Sequence, residues 1–502
     1  MSALGTGANP PDTIVRRISY QAVGLLALLT PVALALAVLP TPSSDTRELL
    51  AWGHFFTLST AKHPPMMQWV GGLTERLMAP SAFAAVLINQ LLTAIGLAYT
   101  HAIARLTVDA DRAAIFTLLL AGSLCVIAAP LPFALNADLL QFPFWSAIVF
   151  HALKAAAANR LWHWLAFGIA SAGAVYTKYT VLVLFVAMAA ASVLVPDYRQ
   201  IWRRAAFYAS LLVAAALATP QLMAAFDSSA IGHATGLVAL APGLMGRLNA
   251  LGQIILGALI WLAPAWIIIG IGLIRRDCVL TPSPAPAARF LHVTTLISFA
   301  LLALLVIAAG LFYESRYDLP FLFLITLSAA ALIGFDVGRW PGIERRTVLA
   351  TAIAPVLTLT GGSLGYGLFG THTYMQEPTG QAAARLNAEW VAKYACGPAY
   401  IMGDVWSAYG LAIASKPPAI GIPLEVMKDQ QWFNLADLKR RGAIIVYRDQ
   451  IDKEEFARSL PGVPLPPAAT ITLPFLRSAI GKSITYSYVF LPPEACGKRQ
   501  TP

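Results

Sequence analysis

The residues with the clearest chemical potential follow the first hydrophobic segment, where SSDTRELLAW is followed by KHPPMMQW. This stretch holds two carboxylates, Asp45 and Glu48, and two basic side chains, Lys62 and His63. A carboxylate can take a proton from a hydroxyl nucleophile, and a lysine or protonated histidine can stabilise charge on a phosphate. The pattern therefore predicts a site that holds a phosphate and activates a nucleophile beside a membrane.

Each of these residues also has a purely structural interpretation. Asp45 can cap the helix that follows it, and Glu48, three residues later, can complete a capping box. Lys62 and His63 precede two prolines, which stiffen the backbone but are also frequent at the start of helices. Both interpretations stay open on the sequence alone.

The run LLAWGHFF, between these two motifs, has the pattern of an amphipathic helix. Such a helix lies in the membrane interface with its apolar side chains in the acyl region. We therefore expect Trp52 and Phe55 to face lipid.

Two later segments add ionisable groups at the same predicted depth. Lys178 stands alone between two apolar stretches in AVYTKYTVLVLF, and the segment ESRYDLP contains Arg316 and Tyr317. An ionisable residue within a membrane segment is a functional candidate, although a lysine can also extend its amine to the interface. The ESRYDLP segment is either an ion-paired turn or a second source of phosphate ligands.

Several common kinds of site have no motif in this chain. The histidines and cysteines lack the metal-ligand spacing of HExxH or CxxC, so a divalent cation is not supported and no cofactor is predicted. No Walker loop, dinucleotide fingerprint or GxSxG elbow stands in a suitable context. If the chain uses an activated donor, a lipid is therefore expected to carry it.

The composition indicates an integral membrane protein, because 58% of the 502 residues are hydrophobic and only 12% are charged. Apolar runs predict about eleven membrane-spanning helices, give or take two. The predicted spans are Ile18–Leu39, Ser81–Ala104, Ala113–Pro130, Leu139–Ala155, Trp164–Thr177, Val181–Leu194, Ala205–Leu222, Leu251–Ile274, Phe290–Leu311, Leu319–Val337 and Val348–Leu368. The fold class is thus a polytopic helical bundle over residues 1–370, with a first outer loop at 43–80.

Basic residues gather in alternate loops, which predicts that those loops and the N-terminus are cytoplasmic. An odd number of spans then places residues 371–502 on the outer face. The net charge of +10 is largely this topology signal, so no nucleic-acid partner is predicted.

Residues 371–502 are more polar and predict a small α/β domain. GPAYIMGDVW and GAIIVYR are typical of short buried strands, and QAAARLNAEWVAKY and NLADLKRR of helices. Cys396 and Cys496 are the two cysteines expected outside, where an oxidising compartment favours a disulfide between them. Cys125 and Cys278 are expected to be free thiols.

These motifs together resemble a known group. An acid after the first span, KHPPMMQWVGGL, TKYT after the fifth span and RYDLP late in the bundle are similar to the lipid-dependent GT-C glycosyltransferases. The most similar branch is the family 39/83 group of protein mannosyltransferases, aminoarabinose transferases and lipid A galacturonosyltransferases. The similarity extends to about Leu368 in the order of spans.

The resemblance implies an enzyme of the bacterial inner membrane that acts on the periplasmic face. It would move a sugar from a polyprenyl phosphate to an envelope glycolipid, glycan or protein, by inverting displacement without a covalent intermediate. Asp45 would be the catalytic aspartate that orients or deprotonates the acceptor hydroxyl, with Glu48 as the nearest second carboxylate. The residues that would hold the lipid phosphate are Lys62, His63 and Lys178, with Arg316 and Tyr317 as further candidates.

One departure keeps other functions open. The family commonly has adjacent Asp and Glu in the first outer loop, whereas this chain has Asp45 and Thr46. A transporter or flippase for an anionic polyprenyl lipid would use the same cations without breaking a bond, and a non-catalytic binder of that lipid would as well. The sugar and the acceptor are not indicated by the sequence.

Overall fold

The computed structural model describes residues 10–60, 64–227, 243–335, 340–367, 374–429, 432–478 and 481–494. Helices predominate through residue 367, and a mixed sheet with flanking helices follows. The predicted fold class is therefore confirmed. The predicted domain boundary at residue 370 lies outside the described residues, so the division at that position stays a prediction.

The helices of the bundle bury a continuous apolar core and expose large apolar side chains such as Leu212 and Ile274 on the outside, where lipid would cover them. The helices are α1 (Pro10–Val38), α2 (Ser44–Trp52), α3 (Met66–Leu77), α4 (Ala82–Ala104), α5 (Ala110–Ala121), α6 (Leu124–Ile127), α7 (Pro130–Phe133), α8 (Ala137–Ala158), α9 (Leu161–Thr177), α10 (Val181–Leu194), α11 (Ala205–Asp227), α12 (Gly243–Trp261), α13 (Ala263–Ile274), α14 (Pro286–Ala309), α15 (Leu322–Leu332) and α16 (Trp340–Gly367).

Within the described ranges, seven helices are long and apolar enough to cross a membrane. The number is eight if the bent pair Val181–Leu194 and Pro196–Arg203 forms one span. Shorter helices such as α9 and α15 pack among them. Each predicted span overlaps a helix, so the predicted count of about eleven includes both the long helices and the shorter ones packed among them.

Three predicted spans are wrong in extent. Ala113–Pro130 is not one helix, because α5 ends at Ala121 and the short helices α6 and α7 follow separately. Leu251–Ile274 is not one helix, because the chain breaks at Leu262 between α12 and α13; a proline in the first turn of α13 lacks the N–H that a continuous helix needs. Leu319–Val337 ends as a helix at Leu332. Its next residues form strand β2 (Ile333–Phe335), which pairs antiparallel with β1 (Cys278–Leu280).

The C-terminal region is built on five strands in the order β4-β3-β5-β7-β6. Strand β3 is parallel to β4 and β5, and β7 is antiparallel to β5 and β6. The elements are α17 (Thr379–Tyr394), β3 (Tyr400–Gly403), α18 (Val405–Ala414), β4 (Ile420–Pro423), α19 (Leu435–Arg441), β5 (Ala443–Arg448), α20 (Lys453–Ser459), β6 (Ala469–Pro474) and β7 (Ser483–Leu491). The predicted strands correspond to β3 and β5, and the predicted helices to α17 and α19.

Alternate residues of the strands serve the two faces of the sheet, as the strand period requires. Ile401 and Ile444 pack with α17 and α18 on one face. Met402 and Ile445 pack with α19 and α20 on the other. Strands β3 and β5 are thus buried on both faces, which suits their continuous apolar sequences.

Candidate active site

Helix α2 lies between the bundle and the C-terminal region, and its residues from Thr46 to Trp52 are all buried. On the bundle side, Thr46 Oγ1 donates a hydrogen bond of 2.5 Å to the carbonyl oxygen of Ala134. On the other side, Trp52 Nε1 donates to the Tyr409 hydroxyl at 3.0 Å. These contacts fix the orientation of the helix that carries Asp45.

Two glycines let α2 and α3 pack with their backbones in contact. A Cβ at Gly71 would lie 2.5 Å from the carbonyl oxygen of Leu49, and one at Gly72 would lie 2.4 Å from that of Gly53. Only glycine permits such an approach of two backbones. Because α3 begins at Met66, directly after the prolines of KHPP, this contact places the end of that motif beside α2.

The carboxylate of Asp45 lies where three segments meet. Asn136 Nδ2 donates to Asp45 Oδ2 at 2.7 Å, and Arg316 Nη1 donates to the same oxygen at 3.3 Å. The Asp45 side chain is 29% exposed. Ser43 rather than Asp45 occupies the N-cap position of α2, so the capping interpretation of Asp45 is wrong. Its carboxylate instead joins the first outer loop to two other parts of the chain.

Arg316 is presented by a 3₁₀ turn, Ser315–Phe321, between α14 and α15. Its Nε lies 2.6 Å from a carboxylate oxygen of Glu314. Its guanidinium carbon is 5.5 Å from the ring centroids of both Phe133 and Tyr317, within the range of cation–π attraction. The guanidinium is therefore held by carboxylates at two of its nitrogens and by aromatic rings.

The turn that carries Arg316 is seated against α12. Trp261 Nε1 donates to the carbonyl oxygen of Ser315 at 3.0 Å. A Cβ at Gly257 would lie only 2.0 Å from Asp318 Oδ2, so the turn approaches α12 as closely as a glycine allows. The position of Arg316 thus depends on the surface of α12.

Lys178 lies at the break between α9 and α10 and turns into the bundle. Its Nζ donates to Asp138 Oδ1 at 2.5 Å and lies 4.4 Å from the ring centroid of Tyr317. Asp138 is almost fully buried, with a side chain 4% exposed. Lys178 is therefore an internal cation with a carboxylate partner.

The structure thus brings Asp45, Lys178, Arg316 and Tyr317 together, with the Tyr317 ring next to both cations. Lys62 and His63 lie outside the described residues. The chain on either side of them is held together, because Gln68 Nε2 donates to the carbonyl oxygen of Thr57 at 2.8 Å.

The surroundings of Glu48 differ from those of Asp45. It is buried and lies near Tyr409, whose pKa is raised by burial and by the charge of Glu48. It faces the C-terminal region, so its predicted role as the second carboxylate beside Asp45 stays a prediction. Among the described residues, no group of three or more histidine, cysteine or acidic side chains is arranged to hold a metal ion.

The expectation that Trp52 and Phe55 face lipid is wrong. Trp52 is 2% exposed, and its ring lies edge-on to Trp432 with centroids 5.9 Å apart. Phe55 stacks on the same Trp432 ring at 4.7 Å. The apolar side of this segment is covered by the C-terminal region, so its amphipathic pattern reflects a protein contact.

A buried ion pair joins α2 to the C-terminal region. Arg47 Nη1 lies 2.6 Å from Glu377 Oε2, and the two side chains are 0% and 2% exposed. Arg47 also donates to the carbonyl oxygen of Trp406 at 3.2 Å. On the far side, Arg448 lies 3.6 Å from Glu377 and 3.5 Å from Asp404. The network begins two residues from Asp45.

In the sequence, Asn136 and Asp138 lie in the short loop LPFALNADLLQF, where a helix cap is the expected role of either residue; nothing in the sequence predicts the Arg47–Glu377 pair. Asn136 is the N-cap of α8, since its side chain accepts from the Asp138 amide at 2.8 Å. The cap pattern was visible, but a cap can also donate through its amide, as Asn136 does to Asp45. A pairing across 330 residues of sequence leaves no local signal.

The family model of dolichyl-phosphate-mannose-protein mannosyltransferases matches residues 62–223. This region begins at the KHPP motif and includes the segments that carry Asn136, Asp138 and Lys178. No curated protein sequence matches the chain.

Solved structures extend the comparison to nearly the whole chain. The crystal structure of ArnT from Cupriavidus metallidurans bound to undecaprenyl phosphate is 13% identical, with a TM-score of 0.60 over 96% of this chain and 98% of that chain. Its apo state is 14% identical, with a TM-score of 0.60 over 95% and 98%. The chain has the GT-C fold. The resemblance to GT-C glycosyltransferases is confirmed, and the C-terminal region is part of the shared fold.

The cysteines of this GT-C chain agree in part with expectation. Cys396 is disulfide-bonded, and Cys125 and Cys278 are free. Cys496 lies outside the described residues, so its pairing with Cys396 stays a prediction.

Proposed function

We propose that this chain is a membrane glycosyltransferase that takes a sugar from a polyprenyl-phosphate donor. The acceptor is an envelope glycolipid, glycan or protein on the periplasmic face. The observation that carries the proposal is that Arg316 contacts both Asp45, which Asn136 also binds, and the Tyr317 ring, over which Lys178 lies as well. A carboxylate for a nucleophile and cations for a phosphate lie within one constellation. The undecaprenyl phosphate bound to the ArnT structure supports a lipid-linked donor.

In the proposed reaction, the acceptor hydroxyl attacks the anomeric carbon of the donor. Asp45 takes the hydroxyl proton, and the bond between the anomeric carbon and the phosphate oxygen breaks with its electron pair on that oxygen. Both hydrogen bonds to Asp45 end on Oδ2, so Oδ1 is the oxygen assigned to the proton. A single displacement inverts the anomeric centre and leaves polyprenyl phosphate with one more negative charge.

Lys178 and Arg316 are assigned to that developing charge, because preorganised cations stabilise a leaving phosphate. The described constellation has three carboxylates, Asp45, Asp138 and Glu314, and two cations, so its net charge is −1. A phosphate therefore needs further positive charge. We assign that role to Lys62 and His63, which would raise the site to neutral or positive depending on the histidine.

The assignment of the constellation to the outer face is supported by which ends of the helices carry it. The constellation uses the N-terminal ends of α2, α8 and α15 and the C-terminal end of α9. The basic loops follow the opposite helix ends, for example Arg105 after α4 and Arg199 after α10. Because basic loops favour the cytoplasm, the constellation and the C-terminal region are assigned to the periplasm.

The test compares a strain lacking this protein with strains that carry wild type, Asp45→Asn or Asp449→Asn at matched expression. Asp449 is exposed in the C-terminal region and has positive φ, which asparagine tolerates, so its variant controls for the chemical change. Mass spectrometry of envelope glycolipids and glycans should show a sugar that wild type and Asp449→Asn restore and Asp45→Asn does not.

A binding measurement separates this proposal from transport or simple lipid binding. Purified Asp45→Asn should bind undecaprenyl phosphate as wild type does, whereas Lys178→Gln should bind it more weakly. If Asp45→Asn restores the missing sugar in full, Asp45 is not the base and a transporter or lipid-binding function replaces this proposal.

A further inference from the structure

The C-terminal region contains a cavity of about 800 Å³ that the proposed reaction does not use. Asp404 and Trp406 follow β3, Glu425 follows β4, and Arg448 ends β5, and all four residues line the cavity. The cavity therefore lies at the carboxyl ends of the three parallel strands. Its size is within the range of about 300–1,000 Å³ that is usual for ligand sites.

The topology places a crevice at this edge. After β3 the chain passes to the face covered by α18, and after β4 it passes to the face covered by α19. Strands β3 and β4 are neighbours, so the two connections leave their carboxyl ends in opposite directions. In open α/β sheets, ligands bind where adjacent connections diverge in this way.

The lining combines hydrogen-bond acceptors, which are carboxylates, with hydrogen-bond donors, which are guanidinium groups. The charged residues are four acids and two arginines, a net charge of −2: Asp404, Glu425, Asp452, Glu455, Arg448 and Arg458. An excess of carboxylates disfavours a phosphate or another anion. The described residues offer no cluster arranged for a metal ion. Sugar hydroxyls both donate and accept, so they suit carboxylates and guanidinium groups together.

Aromatic side chains add apolar surface to this lining. Trp406 and Tyr447 line the cavity, and the Arg448 guanidinium carbon lies 5.1 Å from the Trp406 ring centroid. Tyr447 donates to Glu455 at 2.5 Å, so its position is fixed. Fixed aromatic rings beside charged hydrogen-bonding groups can contact the C–H face of a sugar while its hydroxyls are bound.

We propose that this cavity binds a hydroxyl-rich saccharide unit, neutral or amino-bearing, and that in the enzyme this unit belongs to the acceptor. The second half rests on the proposed function. The cavity wall is connected to the reaction site, because Arg47, two residues from Asp45 on α2, donates to the carbonyl oxygen of Trp406. A glycan held here is thus bound to the same framework that positions Asp45.

The test uses the full-length protein in lipid nanodiscs and saturation-transfer NMR with glucose, glucosamine and glucuronate. Glucose and glucosamine should receive saturation, and glucuronate, which carries a negative charge, should receive less. Glu425→Gln replaces a charged hydrogen-bond acceptor with a neutral one and should weaken glucose binding about 2- to 10-fold. Glu454→Gln is the matched control, since Glu454 is exposed on α20 and does not line the cavity.

The proposal is overturned if neither glucose nor glucosamine binds, if glucuronate binds most tightly, or if Glu425→Gln and Glu454→Gln behave alike. Binding of an arginine-rich peptide in place of the sugars would also overturn it, in favour of a protein ligand. Asp45→Asn should bind sugars as wild type does. If no sugar binds while Asp45→Asn is catalytically dead, the cavity proposal is rejected and the proposed reaction is not. If Asp45→Asn is active and sugars still bind, the proposed reaction is rejected together with the assignment of the bound sugar to the acceptor, whereas sugar binding by the cavity is not.

Discussion

Neutralising either member of the buried pair Arg47–Glu377 should destabilise the protein, and the two effects should differ. Glu377→Gln removes the negative charge that faces both Arg47 at 2.6 Å and Arg448 at 3.6 Å. Arg47→Met removes one guanidinium but leaves Glu377 facing Arg448. Glu377→Gln should therefore be the more damaging change.

The magnitude follows from the burial of the pair. Removing one partner of a buried ion pair costs about 3–5 kcal/mol. With side chains 0% and 2% exposed, water does not screen the remaining charge. We expect about 3 kcal/mol for Arg47→Met and about 5 kcal/mol for Glu377→Gln. The double variant leaves fewer buried charges than Glu377→Gln does, so it should be more stable than that single variant. Because the single costs would add to about 8 kcal/mol, the coupling between the two sites should exceed about 3 kcal/mol.

The assay is equilibrium unfolding of the purified protein in mixed micelles, applied to wild type, both single variants and the double variant. Arg385→Met controls for loss of an arginine, because Arg385 is exposed on α17, and it should leave the unfolding midpoint unchanged. If the single effects simply add, or if the double variant is less stable than Glu377→Gln, the pair does not stabilise the contact through its charges.

Three further predictions concern the constellation and the C-terminal region. Asn136→Ser should keep the cap of α8 but lose the bond to Asp45, lowering the rate of sugar transfer roughly 10- to 100-fold with little change in thermal stability. Gly257→Ala should displace the adjacent turn, cost about 1–3 kcal/mol of stability and reduce transfer, whereas Gly252→Ala, on the same helix with nothing within 4 Å, should be tolerated on both measures. Burial raises the pKa of Glu455, so its contribution to folding is full below the ordinary glutamate pKa and is lost as pH rises through the raised value. Unfolding midpoints measured across the acidic range should therefore vary less with pH in Glu455→Gln than in wild type.

Much of the bundle could be predicted because membrane helices carry their signal locally. A long apolar run needs an internally bonded backbone, so length and hydropathy locate it. The signal fails where a run contains a break, as at Leu262, or where a residue pattern continues past a helix into a strand, as at Ile333. In the C-terminal region, the apolar strands β3 and β5 were predicted, whereas β6 and β7 were not. Those two strands include polar and exposed residues such as Thr472.

Only some of the residues that form the site could be predicted from the sequence. Asp45, Lys178 and Arg316 each lie in a segment whose chemistry is unusual for its surroundings, so each was a candidate on its own. Their meeting depends on the packing of distant helices, which a single sequence does not specify. The contacts of Trp52 and Arg47 could not be predicted for the same reason. An apolar ring or a single arginine on α2 does not indicate whether lipid, water or protein covers it.

The two sides of α2 explain why a transferase of this fold would retain a C-terminal domain. Asp45 faces the bundle, where Asn136 and Arg316 hold its carboxylate. Arg47 and Trp52, on the same short helix, are held by the C-terminal region. A helix of nine residues is too short to be stable alone in water, so its position is set by these two bodies together. In the proposed reaction, a displacement of the C-terminal region would therefore move Asp45 relative to the bundle, and that region would act on sugar transfer through α2 without contacting the donor.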